Sequence, residues 1–282
     1  MDATRPGRSV EGDVVVLDGV TRKRKHDAIV AEEPLELRLS ESGATRKLAV
    51  TMRTPGNDFE LAAGFLYTEG IVRSRDDIAE ITYCLDETLD PDQRYNVVTI
   101  ECRPGRIAAD PARFERHFTI GSACGVCGRA QLDSLRELGV AQVEDDLTID
   151  AALLYELPER MRAAQRVFAA TGGLHAAALF RETGEVVAVR EDVGRHNAVD
   201  KLVGWGLLEG RLPFARCLLM VSGRASYEIL QKSLMARIPL VASVSAPSSL
   251  AVDLARDFGV TLAGFVRGTR ANLYANPQRI AG

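Results

Sequence analysis

The 282-residue chain has no apolar run near the ~20 residues that span a bilayer. Its opening, MDATRPGRSV, lacks the hydrophobic centre that an export signal needs. Neither membrane embedding nor export is expected. An excess of positive charge is also missing: 35 Lys and Arg face 39 Asp and Glu, for a formal net charge of −4. That removes the bulk attraction on which nucleic-acid binding rests, and no nucleic-acid partner is expected. Cysteine is scarce and odd in number, five in all. Such a set makes a poor disulfide framework and suits a reducing cytoplasm, where a Cys-x-x-Cys pair carries catalysis, redox chemistry or a metal. Internal repeats and low-complexity segments are absent.

The apolar content, 46%, is ample for a core. At ~150 residues per domain the length suggests one large domain or two ordinary ones. Residues 1–112 read as a smaller, β-rich N-terminal domain whose first ten residues are loose. DVVVLDG is a short apolar run. The basic run TRKRKH at 21–26 reads as a solvated hairpin or linker. LELRLS alternates Leu35, Leu37 and Leu39 with polar residues, and RKLAVTM repeats the pattern with Leu48, Val50 and Met52. ESGA between them is a hairpin turn, and EITYCL with NVVTIEC forms a second strand pair. One helix is expected in TPGNDFELAAGFLYTEG. Its expected N-cap is Asn57, with Glu60 completing a capping box, and Gly70 stops it.

Residues 113–282 read as an α/β domain that begins with an exposed loop, Arg113–Gly128. A short helix follows at AQLDSLRELG with Leu132, Leu135 and Leu138 on one face. A second helix is expected from Pro158, placed at its first position, to about Ala170. LHAAALF and EVVAVR flank a hairpin turn. Three helices, HNAVDKLVGWGLL, YEILQKSLMA and LAVDLARDFG, then alternate with strands RCLLMVSG, LVASVSA and TLAGFVRG. This is a mixed sheet covered by helices, with its last three strands parallel.

Those three strands end in Ser222, Gly223 and Arg224; in Ser243, Ser245 and Pro247; and in Arg267, Gly268 and Arg270. Parallel strands bring such ends to one edge, where open α/β sheets bind ligands. REDVGRHNA adds Glu191, Asp192, Gly194, Arg195, His196 and Asn197. Small residues, arginines and helix N-termini together suit an anionic, nucleotide-like ligand. The acidic pair can accept hydrogen bonds from a base or ribose, or can cap a helix. Taken singly, each loop is also ordinary turn chemistry.

GSACGVCGRA places Cys124 and Cys127 three apart among small neighbours. Structural zinc needs four ligands, but Cys84, Cys102 and Cys217 stand alone, and His117, His175 and His196 show no completing spacing. A zinc deaminase needs His-x-Glu ahead of Pro-Cys-x-x-Cys. Here HAA at His175 lies downstream and has Ala177 in place of the acid. A dithiol redox centre has its first thiol acidified by Arg129 and the following helix, yet no thioredoxin-like unit surrounds it. Sulfur carriage needs an exposed loop, small neighbours and a low thiol pKa, and the cysteine then passes through a reversible persulfide. Spacing alone ranks this level with the redox reading.

Long segments of the chain resemble the FdhD/NarQ family: TPGNDFELAAGFLYTEGIV, CGVCG, TGGLHAAAL, EDVGRHNAVDKLVG, SGRASYEILQK, SVSAPSSLAVDLA and GFVRGTRANLY. Arg237 stands where Gly is expected before Ile-Pro, and Ser248 where Thr is usual. The resemblance implies a cytoplasmic accessory sulfurtransferase. Such a protein takes sulfur from a cysteine desulfurase and passes it to the molybdenum or tungsten bis-guanine-dinucleotide pterin cofactor that formate dehydrogenase requires. Cys124 matches the persulfide position and Cys127 its partner. Phe265, Val266, Arg267, Gly268, Thr269 and Arg270 match the cofactor-binding segment, beside the rim residues Ser222, Gly223, Arg224 and Ser245. The implied fold is cytidine-deaminase-like, with helices on both faces of a mixed sheet, in a homodimer holding no metal of its own. A non-catalytic insertion chaperone with a zinc-holding or redox Cys-x-x-Cys is the rival. His196, His175 and Lys232 are candidates for proton transfer.

Overall fold

The computed structural model describes residues 7–84, 94–108, 135–136 and 139–282. The boundary expected at 112/113 lies outside them. β1 (Ser9–Asp18) and β2 (Thr21–Val30) pair antiparallel over their whole length. TRKRKH is therefore one arm of a solvent-exposed hairpin, the first of its two expected readings, and not a linker. Val15, Leu17 and Val20 of this ribbon also face water.

A four-stranded sheet follows, in the order β4-β3-β6-β5. It comprises β3 (Glu33–Glu41), β4 (Ala44–Arg53), β5 (Ile78–Tyr83) and β6 (Val97–Cys102). Both expected antiparallel pairs form, and β3 joins them by running parallel to β6. Leu35, Leu37 and Leu39 point inward. β4 departs from strict alternation, because the register slips between Leu37 and Arg38 and Leu48 becomes an extra residue. Leu48 and Ala49 are then both buried while Val50 and Met52 turn outward, as a one-residue bulge requires.

α1 (Asp58–Thr68) buries Leu61, Phe65 and Leu66 and ends before Gly70, whose φ is 74°. The expected capping box does not form. Asn57 is left-handed, φ 60°, and makes no side-chain cap. Its Oδ1 accepts from Arg8 instead. The Glu60 carboxylate is drawn away by Arg190, with hydrogen bonds of 2.5 and 2.8 Å.

The second sheet has six strands in the order β13-β12-β11-β10-β8-β9. They are β8 (His175–Arg181), β9 (Val186–Asp192), β10 (Cys217–Val221), β11 (Leu240–Ser243), β12 (Thr261–Arg267) and β13 (Arg270–Ala275); β7 (Ile149–Asp150) and β14 (Ile280–Ala281) pair separately. β10, β11 and β12 are parallel, as expected, and β8 and β13 run against them. Helices cover both faces. Leu154, Leu157 and Met161 of α2 (Ala151–Ala164) pack on one. Residues from α4 (Arg195–Leu208), α5 (Tyr227–Met235) and α6 (Ser249–Asp257) pack on the other. α2 begins seven residues before Pro158, capped by the Asp150 side chain on Ala152 N at 2.7 Å. Pro158 therefore sits inside it, where it withholds one backbone hydrogen bond. The helix breaks at Gln165, and α3 (Arg166–Thr171) completes the segment. Of the helix expected at AQLDSLRELG, Leu135, Arg136 and Gly139 are described: the first two are helical, and Gly139 is a turn with φ 78°. Arg237, the departure from Gly, has φ 61° just past the end of α5, a left-handed position where Gly costs least. Its guanidinium donates to Ala141 O at 2.8 Å.

α4 is buried almost all round, lying between the six-stranded sheet and α1. Its crossing with α1 is backbone on backbone. A Cβ on Gly64 would stand 1.9 Å from Asp200 O, and one on Gly204 would stand 1.8 Å from Glu60 O. Polar bonds lock the same seam. Buried Lys201 pairs with buried Asp192 at 2.6 Å and donates to Thr54 O at 2.8 Å. Burial holds the Lys201 pKa below its usual value, against the pull of Asp192. Asp192 also accepts from Thr54 N, and Asn197 donates to Met52 O. Lys232 meets Asp200 at 2.9 Å and Thr68 at 3.1 Å. Burial alone would lower its pKa, but Asp200 and Glu69 outweigh that and raise it.

Two outcomes are expected. Alanine is the better helix former by about 1 kcal/mol, yet Gly204→Ala destabilises by about 3 kcal/mol because its methyl has only backbone to displace; urea unfolding measures the sign. Lys201→Met strands a buried carboxylate and costs about 3–5 kcal/mol, and adding Asp192→Asn restores part of that loss in the same assay.

Candidate functional site

Strand direction gathers the candidate groups on one edge. β9 to β12 deliver their carboxyl ends there by way of β9, β10, β11 and β12, while the antiparallel β8 and β13 begin there. His175, the 192–196 turn, Ser222–Arg224, Ser243–Pro247 and Arg267–Arg270 therefore share a rim.

The loops of this rim are laced to one another. Ser222 exchanges bonds with Ala176, its Oγ accepting at 2.9 Å and its N donating at 3.0 Å. Ser243 Oγ donates to Gly223 O at 2.6 Å and accepts from Ser245 N at 3.1 Å. Phe265 N donates to Ser245 O at 3.1 Å. Gly264 permits this approach, since a Cβ there would press on Pro247 and Tyr274 at 3.0 Å and on Ser245 O at 3.1 Å. Phe265 is left-handed, φ 52°, at a register shift in β12. Arg267, Gly268, Thr269 and Arg270 are exposed, as is Arg224. The Arg267 guanidinium lies 6.0 Å from the Phe265 ring centroid. Val266 is fully buried in the core on the α2 side of the sheet, so only its backbone faces the rim.

The acidic pair after β9 is occupied by the fold. Glu191 accepts from Val167 N at 3.0 Å and Phe168 N at 2.7 Å, capping α3. Asp192 is held by Lys201, Thr54, Gly194 and Asn197. Of the two roles read from the sequence, the structural one applies to both. Lys232 is likewise consumed inside the seam and stands away from the rim.

Three groups in this corner remain. His196 Nε2 lies 3.2 Å from Ser226 Oγ and 3.4 Å from Glu228. Hydrogen bonding from His196, helped by Ser226, pulls the Glu228 pKa down to about 2 against the effect of burial. Burial, then Arg195, then His196 lower the His175 pKa, so its ring is held neutral more strongly than a free imidazole. Gly223 lies against both neighbours: its Cβ position is 3.4 Å from His175 Nδ1 and 3.5 Å from Arg195 Cδ. The sequence flagged Arg195 and His196, but it offered no sign of their neighbours Ser226 and Glu228.

Cys124, Cys127, Arg129 and His117 lie outside the described residues. The remaining thiols are apart from one another and from the rim. Cys102 is buried, and burial followed by nearby carboxylates pushes its pKa to about 11. Burial raises Cys217 as well, and Cys84 is half-buried. Among the described residues no group of His, Cys, Asp and Glu is placed to hold a metal ion, and no helix is long and apolar enough to cross a membrane.

Against known proteins, the model of the FdhD/NarQ family matches residues 30–281. A protein of Streptomyces avermitilis named sulfur carrier protein FdhD is 53% identical over 94% of this chain and 93% of its own length. One of the same name from Sulfolobus acidocaldarius is 42% identical over 94% of this chain and 95% of its own. A crystal structure from Desulfotalea psychrophila, of a protein named for a formate dehydrogenase accessory role, superposes with a TM-score of 0.72 at 23% identity, covering 98% of this chain and all of that one. Matched along nearly its whole length by sequence and by fold, the chain belongs to the FdhD/NarQ family.

Proposed function

We propose that the chain is a persulfide-carrying sulfurtransferase that serves formate dehydrogenase. The observation that carries this reading is its 42–53% identity, over most of its length, to proteins named sulfur carrier protein FdhD. The Cys-x-x-Cys pair and the anion-suited rim support it. We further propose that the six-stranded sheet is of the cytidine-deaminase kind, and that the protein works in the cytoplasm as a homodimer.

In the first step the Cys124 thiolate attacks the outer sulfur of a persulfide on a cysteine desulfurase. A bond forms between Cys124 and that sulfur, and the donor cysteine leaves as thiolate. The loop then presents the persulfide at the rim. The acceptor, written here as substrate, is the bis-guanine-dinucleotide pterin that carries molybdenum or tungsten. Its phosphates suit the Phe265–Arg270 turn, with Arg267 and Arg270 as cations, and the amides of Gly223 and Arg224, since those of Ser222 and Ser245 already donate to Ala176 O and Ser243 Oγ. Sulfur passes to the metal as sulfide when the Cys127 thiolate attacks the Cys124 sulfur and closes a disulfide, which breaks the S–S bond of the persulfide and supplies the two electrons. As relay, Cys127 first takes the outer sulfur as its own persulfide, and Cys124 then closes on Cys127. A reversible cysteine-bound sulfur of this kind needs a thiolate and an accessible loop, which buried Cys102 and Cys217 do not offer.

Incubation with desulfurase and cysteine is expected to add the mass of one sulfur atom to the CGVC peptide, and Cys124→Ala is expected to abolish the gain while the variant stays folded. Cells holding only that variant are expected to make inactive formate dehydrogenase. Active enzyme from those cells would refute the carrier role, and zinc bound at the thiol pair in the intact protein would favour the insertion chaperone.

A further inference from the structure

The cations near the carboxyl end of β9 are matched one by one with carboxylates. Arg190 pairs with Glu60 at 2.5 Å, His196 with Glu228 at 3.4 Å, and Lys201 with Asp192 at 2.6 Å. Arg195, in the middle of this series, is the exception. Its Nε is buried with no hydrogen-bond partner among the described residues. A buried guanidinium nitrogen left unsatisfied is costly. A fold that balances its neighbours so closely yet leaves this one open points to an external acceptor. Asp192 cannot serve, because Lys201 and three hydrogen-bond donors already hold it.

The surroundings define what that acceptor is. Arg195 begins the 14-residue α4, so its guanidinium stands where the helix end is positive. Its stem lies against Gly223, where no side chain intervenes, and the His175 ring lies against the same glycine. Burial lowers the pKa of that ring and so disfavours the charged form, and the neutral ring still has one N–H to offer. A flat cationic fork, an imidazole and a bare glycine backbone around one point match a tetrahedral oxyanion.

We propose that Arg195, His175 and Gly223 form a phosphate subsite separate from the Arg267–Arg270 turn. This rests on reading the rim as the binding edge for a guanine-dinucleotide ligand and adds a second position to it. Gly223 follows β10 and the arginine turn follows β12, so the two positions stand two strand spacings, roughly 10 Å, apart. One rim then offers the ligand's phosphates two positions, the arginine turn and Arg195.

Calorimetric titration of the whole chain with GDP, guanosine and inorganic pyrophosphate tests this. The wild type is expected to bind GDP more tightly than guanosine. Arg195→Gln is expected to weaken GDP by about tenfold or more, the worth of one charged hydrogen bond, and to leave guanosine unchanged. Arg195→Lys and His175→Gln, milder changes, are expected to fall between and cover the case in which Arg195→Gln does not fold. Equal GDP affinity in wild type and all variants overturns the subsite while the rim reading stands. If GDP fails to bind the wild type, the rim reading falls. Pyrophosphate binding that depends on Arg195 would then still establish the subsite as one for free phosphates, and its absence would overturn the subsite too.

Discussion

The structure depends on one close approach: helices α1 and α4 cross where Gly64 and Gly204 leave no side chain between their backbones. Nothing larger fits, because each Cβ would meet a carbonyl oxygen inside 2 Å. The crossing joins the four-stranded sheet, which carries α1, to the six-stranded sheet, which carries α4. Leu207 of α4 accordingly belongs to the core of the smaller sheet. Charges that would be ruinous in such a seam are tolerated because each has a partner. Lys201 with Asp192 and Lys232 with Asp200 form short ion pairs among fully packed apolar residues.

The segment EDVGRHNAVDK serves two surfaces at once. Glu191, Asp192, Asn197, Asp200 and Lys201 turn inward, to cap α3 or to lock the seam. Arg195 and His196, one turn of helix away, stand at the rim. A short run of polar residues thus builds the frame and furnishes its edge, with the helical repeat deciding which residue does which.

Much of this was legible in the sequence. The alternation of Leu35, Leu37 and Leu39 located β3, and the strand-helix repeat of the last third located three parallel strands, because period and turn chemistry are local properties. What escaped was set by partners distant in sequence. Glu60 has capping spacing, but Arg190, 130 positions on, claims it. The bulge at Leu48 is a property of pairing with β3, not of RKLAVTM itself. Pro158 looked like a helix start, yet the Asp150 cap and the stripe of Leu154, Leu157 and Met161 carry the helix across it. β13 was missed because RANLYA has no clean alternation, and pairing with β12 makes it a strand. Among the rim groups, Arg267 and Arg270 stood out by their turn, whereas Ser226 and Glu228 became visible only once His196 had been placed beside them.

The end of β4 reaches beyond its own sheet. Thr54 and Met52 hold the turn at 192–197 through Asp192, Val193 and Asn197. The smaller sheet is therefore the keel beneath the rim, and the tilt of the rim's 192–197 turn is set by the end of a strand that grips it from behind. Evolution can alter the geometry of the rim by editing residues 52–54 and leaving every rim side chain as it is.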